Sequence, residues 1–452
     1  MLCYDNFIEI SNYAKKRDLL NLLSTCRAYR SLVIVYHDKY AFKLNQKQHK
    51  IQKDLQTLRN VIRKNKRINA DQIYYQMVNY SIDNHTEWLK CGNQYNGQFR
   101  NLYKINKLIV GNRYNQPLLV SLYSLSGNPF YLNPFLQSNL ITLIIGNDFD
   151  QEIDHFLPQT LIKLILGNKF NHPVDDLPKK LEIFIVGNSF DQSVDYLPNS
   201  LKVLKIGKKF SKSFDELPDG LISLSINSHL GLWSKHNKRL PNSLKYLYLR
   251  ILYSVEQFPS GLETIECKRC YQPAFLKLPT QLKKIWCHEQ FDDSYNLQVK
   301  FPNSVKSIKM PNLTHNAILP DNIEELIVTG YIASTPLQLP SSLKILNITS
   351  NFNFFPKPIF AYPIQLKSLT IFYLGIPIKD LPVTLEHLTI NEYFNQDPIT
   401  ELPISLKILN LRIMNTISYF PQLKKLSVYR DHPQIEELKQ MYRRRLKYVN
   451  EK

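Results

Sequence analysis

An apolar residue followed by proline returns at near-constant intervals through most of this chain, and nothing else in the sequence restricts its fold as strongly. The prolines are Pro158, Pro178, Pro198, Pro218, Pro241, Pro259, Pro279, Pro302, Pro320, Pro340, Pro363, Pro382, Pro403 and Pro421. Their spacings run 20, 20, 20, 23, 18, 20, 23, 18, 20, 23, 19, 21 and 18 residues. A fixed period of this length marks a stacked array rather than one closed core. The 452 residues are too many for an ordinary single core but suit an array with a small flanking module. Two degenerate copies, Ile105–Leu118 and Leu140–Asp150, precede the first proline.

Within the thirteen copies from Pro158 to Pro403, apolar residues stand three, six and eight positions after the proline, as in Leu161, Leu164 and Leu166 or Leu343, Leu346 and Ile348; after Pro421 they are Leu423, Leu426 and Val428. The last two are separated by two residues, the period of a strand with one face inward. Proline just before that strand costs no ladder bond. No copy can bury its own apolar row, so neighbours must stack as parallel strands. The fourth position is charged in eleven of thirteen copies from Ile162 to Lys407, so that column faces water. The fifth and seventh positions form the remaining strand face, predicted to be concave. Its richest part is Tyr246, Tyr248, Glu266 and Trp286, and aromatic residues without an inward role anchor interfaces.

Several copies continue with Gly-Asn, an aromatic and Asn or Asp, as in Gly146–Asp150, Gly167–Asn171 and Gly187–Asp191. Glycine there is expected to permit a tight corner, with Asn or Asp satisfying turn backbone. Phe149, Phe170, Phe190, Phe210, Phe291, Phe352 and Phe394 are expected to fill the inside of that corner.

The string Leu-Pro-x-x-Leu-Lys-x-Leu-x-Leu-Gly-x-x-Phe-Asn-x-Pro-Ile/Val, best matched at Leu157–Val174 and Leu381–Ile399, resembles the FNIP repeat. That repeat is a leucine-rich-repeat relative found in social amoebae and giant amoeba viruses. The resemblance implies an α+β repeat protein, a leucine-rich-repeat-like β-solenoid of parallel stacked strands over residues 101–428. A helix opening at Pro433, with Ile435, Leu438 and Tyr442 on its apolar face, is predicted to cap its end within residues 429–452.

Ahead of the array, Asp18 can cap a helix bearing Leu19, Leu20, Leu22, Leu23 and Cys26. Read from its residues alone, this stretch is a helical cap for the solenoid. It also resembles an F-box over residues 1–35, through Leu2, Glu9-Ile10, Tyr13, Arg17-Asp18-Leu19-Leu20 and Cys26-Arg27 with Arg30. Cys3 stands where the family has proline, and Tyr29 where it has tryptophan. The resemblance implies contact with a Skp-type adaptor, and through it a cullin ligase, by Leu2, Ile8, Ile10, Leu19, Leu20 and Tyr29. The repeats would then hold an unidentified protein target for ubiquitination. Residues 36–100 form a basic spacer, helical over 51–68.

The net charge of +19 accompanies abundant Lys, Asn, Ile and Tyr, a bias of AT-rich codons, so it calls for no nucleic-acid ligand. The apolar run Leu32–Tyr36 is too short to span a membrane. No signal-peptide pattern precedes it, which places the expected site of action in a reducing compartment, the cytoplasm or nucleus. There the sequons at Asn79, Asn84, Asn312 and Asn347 carry no glycan. Cys267, Cys270, Cys287 and His288 have the look of a zinc set. However, Cys267 and Cys287 fall in the inward column, which points to core thiols and no metal. No catalytic motif or cofactor loop occurs, so neither enzymatic activity nor a cofactor is expected.

Overall fold

The structure, a computed structural model, describes residues 43–44 and, with interior gaps, 88–449. The longer gaps are 124–128, 229–239, 253–257, 271–277, 291–299, 331–337, 350–361, 374–380 and 394–398. The F-box-like residues 1–35, the helix expected over 51–68, and Phe291, Phe352 and Phe394 lie outside the described residues. The chain divides into two compact units, Met1–Ser243 and Leu244–Lys452.

In the first unit, strands β1 (Lys43–Leu44), β2 (Trp88–Lys90), β3 (Lys107–Ile109), β4 (Val120–Tyr123), β5 (Pro129–Leu132), β6 (Thr142–Ile144), β7 (Lys163–Ile165), β8 (Ile183–Ile185), β9 (Val203–Ile206) and β10 (Ser223–Ile226) follow in order. A parallel ladder runs β2–β3–β6–β7–β8–β9–β10. It begins one rung before the first degenerate copy, inside the stretch read as spacer. There β1 pairs antiparallel with β2. Strands β4 and β5 form an antiparallel hairpin inserted between the degenerate rungs.

The second unit holds β11 (Tyr246–Leu252), β12 (Thr264–Cys270), β13 (Lys284–Gln290), β14 (Ser307–Met310), β15 (Glu325–Val328), β16 (Ile345–Ile348), β17 (Ser368–Tyr373), β18 (His387–Tyr393), β19 (Ile408–Leu411) and β20 (Lys425–Val428), all paired in parallel with their sequence neighbours. Helix α1 (Ile435–Tyr442) follows. The helix does not end the array as expected. A 3-10 turn at Arg443–Arg445 leads into β21 (Leu446–Tyr448), which adds a further parallel rung against β20. Pro433 lies before the N-cap, Gln434, rather than at the first helical position. The helix is therefore the connection inside the last repeat, tied to the ladder by the Tyr442 hydroxyl, which accepts from Phe420 N–H at 2.8 Å.

Twelve of the rungs start with one turn, in which the N–H three residues after the proline donates to the proline carbonyl, at 3.1 Å for Leu161 and 2.9 Å for Leu406. In the Pro421 rung the turn is set back by one residue, Leu423 N–H donating to Phe420 O at 3.2 Å. The sixth-position column is core throughout: from Leu164 to Leu409 no member exceeds 1% exposure. Burying a leucine so completely stabilises by about 1.5–3 kcal/mol. Cys267 and Cys287 are fully buried in the eighth-position column, where Leu, Ile and Val stand in other rungs. The charged column forms cross-rung ion pairs, among them Lys202–Glu182 at 2.6 Å and the Lys306–Glu324–Lys344 chain at 2.9 and 2.8 Å.

Two ladders were not legible beforehand. A hydroxyl two residues after the proline donates to a carbonyl of the preceding rung: Thr160 to Leu140, Ser200 to Leu181, Ser304 to Leu282, Ser405 to Leu385, all within 2.6–2.8 Å. The Asn or Asp after the aromatic bonds not its own turn but the next rung's backbone. Asp150 Oδ1 accepts from Asn171 N–H at 3.1 Å, Asn171 Oδ1 from Asp191 N–H at 2.8 Å, and Asp191 Oδ1 from Ser211 N–H at 2.7 Å.

The aromatic residues stack as a buried column. Phe149, Phe170, Phe190 and Phe210 lie with centroids 6.1, 6.1 and 6.3 Å apart and planes within 6° of parallel. Tyr114 extends this column into the degenerate rung, 6.0 Å from Phe149. The glycines beside it are needed for a reason other than a left-handed corner. A Cβ on Gly167 would lie 2.2 Å from the Gly146 carbonyl oxygen, and one on Gly187 2.3 Å from that of Gly167. Backbone packs on backbone from rung to rung, and only a residue without Cβ fits.

Candidate functional site: the strand face around Trp286

The four residues nominated from sequence share one strand face of the second unit, on β11–β13. The register places Tyr248, Glu266, Trp286 and Lys309 side by side across four rungs, with Tyr246, Thr264, Lys284 and Ser307 in the parallel row. Inward neighbours Leu247, Ile265 and Ile285 are buried. The alternation of the strand thus leaves this row outside the core, half-buried between adjacent side chains.

These side chains hold one another. Tyr246 donates its hydroxyl to Glu266 Oε2 at 3.1 Å, and Glu266 Oε1 lies 3.4 Å from His288 Nε2. His288 Nδ1 in turn lies 3.1 Å from Lys309 Nζ. Trp286 donates from Nε1 to Ser307 Oγ at 2.9 Å, and Ser307 donates onward to Glu325. The Lys284 ammonium sits 3.2 Å from the Trp286 ring centroid, with Lys309 Nζ at 5.7 Å. Burial pushes the Tyr246 hydroxyl up to about 12, helped by the Glu266 charge. Burial likewise raises Tyr248, against the lowering effect of Arg250. Both phenols are therefore neutral donors at physiological pH.

Chemically this is a set of fixed aromatic surfaces and positioned charges on a rigid ladder. Such a surface can hold a partner with little loss of side-chain entropy, because its rotamers are already constrained. The sequence singled out Tyr246, Tyr248, Glu266 and Trp286; Lys284, Ser307 and Lys309 fall at fifth or seventh positions of the same predicted face without having been singled out, and His288, at a ninth position, was not placed there. Each of these comes from a strand position whose importance depends on its neighbour about twenty residues away. The adaptor-binding residues expected from the F-box resemblance, Leu2, Ile8, Ile10, Leu19, Leu20 and Tyr29, lie outside the described residues. Among the described residues no helix is long and apolar enough to cross a membrane.

Residues 135–169 and 170–209 match the family profile described as FNIP Repeat. No curated protein matches the sequence. Among solved structures, CroV588, described as a novel circular LRR protein, is similar at 23% identity with a TM-score of 0.52, over 82% of this chain and 64% of that one. This chain thus spans less than two thirds of that protein's length. YopM from Yersinia enterocolitica WA-314 aligns over 85% of this chain and 87% of its own at 16% identity, with a TM-score of 0.38. A leucine-rich repeat protein from Bacteroides ovatus aligns over 81% and 97% at 14% identity, with a TM-score of 0.18. Only the first of these likenesses bears on the fold, and it agrees with the ladder described above: the chain folds as a leucine-rich-repeat-like parallel solenoid that carries FNIP repeats at residues 135–209.

Proposed function

We propose that this protein works by holding another protein, with the strand face around Trp286 as the contact surface. The observation that carries the reading is the Trp286 ring, left half-buried outside the core yet fixed by Ser307 and Lys284. A large aromatic residue held rigid among charges is the composition of an interface anchor. Repeat arrays with an uninterrupted strand face are suited to such binding, since every rung adds contact area without altering its neighbours.

The finer reading is that the bound protein is a target for ubiquitination, brought to a cullin ligase through a Skp-type adaptor held by residues 1–35. Its support is the resemblance of Arg17-Asp18-Leu19-Leu20 and its surroundings to an F-box. The competing reading makes those residues a cap for the array and the protein a scaffold. Full-length protein, a version lacking residues 1–35, and the Leu19→Asp/Leu20→Asp variant would be compared for binding to a purified adaptor. Loss of adaptor binding with an unchanged melting temperature is expected; unchanged binding by the double variant rejects the ligase reading.

For the target face, Trp286→Ala with Tyr248→Ala should weaken capture by about 2 kcal/mol while preserving adaptor binding. A melting temperature lower by many degrees would instead place Trp286 among the core residues.

A further inference from the structure

A second surface lies in the turns that open three consecutive rungs. Of the fourteen repeat prolines, eleven are followed by a polar residue, from Gln159 to Gln422. Pro363, Pro382 and Pro403 are followed instead by Ile364, Val383 and Ile404. These three are 74%, 78% and 87% exposed, the most exposed large apolar residues among those described. Their turns are alike: Leu366, Leu385 and Leu406 N–H donate to the respective proline carbonyls at 3.1, 3.0 and 2.9 Å. The Thr384 hydroxyl ties one turn to the next, donating to Ile364 O at 2.8 Å and Leu366 O at 2.9 Å. The three side chains therefore recur at one place in successive rungs, as an aliphatic stripe with a polar end at Ser341. In the following rung, where Leu423 N–H donates to Phe420 O, the exposed Pro421 takes that place.

Folding does not require the stripe, since the other turns do without it. In the first unit the same position serves a polar role, where Gln159 Oε1 accepts from Lys179 N–H at 3.3 Å. Three aliphatic side chains present on the order of 300 Å², against about 800 Å² per partner in a stable dimer, so a second copy docking here alone is too small an interface. Three residues beyond each stripe position stand Lys367, Glu386 and Lys407, with Lys424 in the next rung, a surplus of cation. Glu386 is already matched by Lys407.

The length of the stripe selects the shape of its occupant. Parallel rungs repeat at about 4.8 Å, so three side chains span about 10 Å. A helix places residues i, i+4 and i+7 over about 10.5 Å. Alternate residues of an extended strand spread over about 13 Å, out of step with the rungs.

We propose that Ile364, Val383 and Ile404 dock an acidic amphipathic helix of a partner protein, lying across the rungs with its aliphatic stripe on theirs and its carboxylates toward Lys367 and Lys424. This surface is separate from the Trp286 face and stands or falls independently of it.

The test uses the full-length protein and a fluorescein-labelled helical peptide of Leu, Ala and Glu, about 18 residues or five turns long, with leucines at i, i+4, i+7 and i+11. A second peptide carries Lys in place of Glu. Anisotropy titration should show the acidic peptide binding, and binding weakened by salt. The combined Ile364→Ser, Val383→Ser and Ile404→Ser variant should lose about tenfold or more in affinity at an unchanged melting temperature, and Trp286→Ala should bind as the unaltered protein does. Ile404→Ser alone should give a partial loss. Equal binding by the triple variant, or equal binding of the Lys peptide, overturns the proposal. So does an absence of peptide binding joined to a triple-variant loss of flotation with phosphatidylserine vesicles, which would mark a membrane contact. Loss of a sedimenting dimer in the triple variant would assign the stripe to a second copy and overturn it equally.

Discussion

Replacing Gly167 by alanine tests whether backbone contact between rungs, rather than corner conformation, selects glycine. The added Cβ would meet Gly146 O at 2.2 Å, with Asn147 Cα and Gly146 C both at 2.4 Å. All three are backbone atoms, so no side chain can swing aside. Relief to a normal contact requires about 1 Å of separation between β6 and β7 here. That would stretch the bond from Lys169 N–H to Asn147 O, now 2.9 Å, and the one from Asn168 N–H to Asn147 Oδ1, now 3.3 Å, beyond useful range. Two weakened hydrogen bonds cost about 1 kcal/mol each. Loosening the Phe149–Phe170 stack adds about another 1 kcal/mol. The reduced entropy of the unfolded chain returns about 0.4–1 kcal/mol. The net loss is about 2–3 kcal/mol. Gly220→Ala is the control, because its Cβ would meet only Asn199 O, at 3.2 Å. There the loss should stay within about 0.5 kcal/mol. Urea titration followed by circular dichroism measures both, and hydrogen exchange at the Lys169 amide localises the first. Equal effects at the two glycines would refute the packing explanation.

Leu204→Ala, at a fully buried site, should cost about 2–5 kcal/mol, while Lys202→Ala, with half its side chain exposed, should cost less than about 0.5 kcal/mol; comparable shifts in urea midpoint would disprove the column register. Ser304→Ala removes the donor to Leu282 O and should destabilise by about 1 kcal/mol on the same titration, with no loss if the hydroxyl ladder is dispensable. Glu324 is held low, to about 2, by its hydrogen bonds from Lys344 and then Lys306. Its folded value lies below the unfolded one, so its contribution is complete above about pH 4.5 and disappears as pH falls toward 2. The carboxylate is partly exposed, so the contribution is under about 1 kcal/mol. The stability difference between the unaltered protein and Glu324→Gln should close over that range, and a difference that stays constant would remove the ion pair as its cause.

What the sequence determined by itself is the contents of one rung. Proline at the turn and apolar residues at the third, sixth and eighth positions are local patterns, so Leu161, Leu164 and Leu166, the wet Lys202 and the buried Cys267 and Cys287 could be assigned from spacing. The sites named on the strand face were legible for the same reason, since alternation alone puts Tyr248, Glu266 and Trp286 in one row. The tertiary structure decided whatever depends on one rung lying against the next. Spacings of 18 to 23 residues are absorbed in the connections, so the pairing of Gly167 with Gly146, of Trp286 with Ser307 and of Tyr114 with Phe149 becomes visible only once strands are in register. Rungs lacking the proline signal, at Trp88–Lys90 and Leu446–Tyr448, are identified as strands by their partners. A three-residue segment carries too little pattern to declare itself, and the hydrogen bonds of an existing ladder supply what its own sequence lacks.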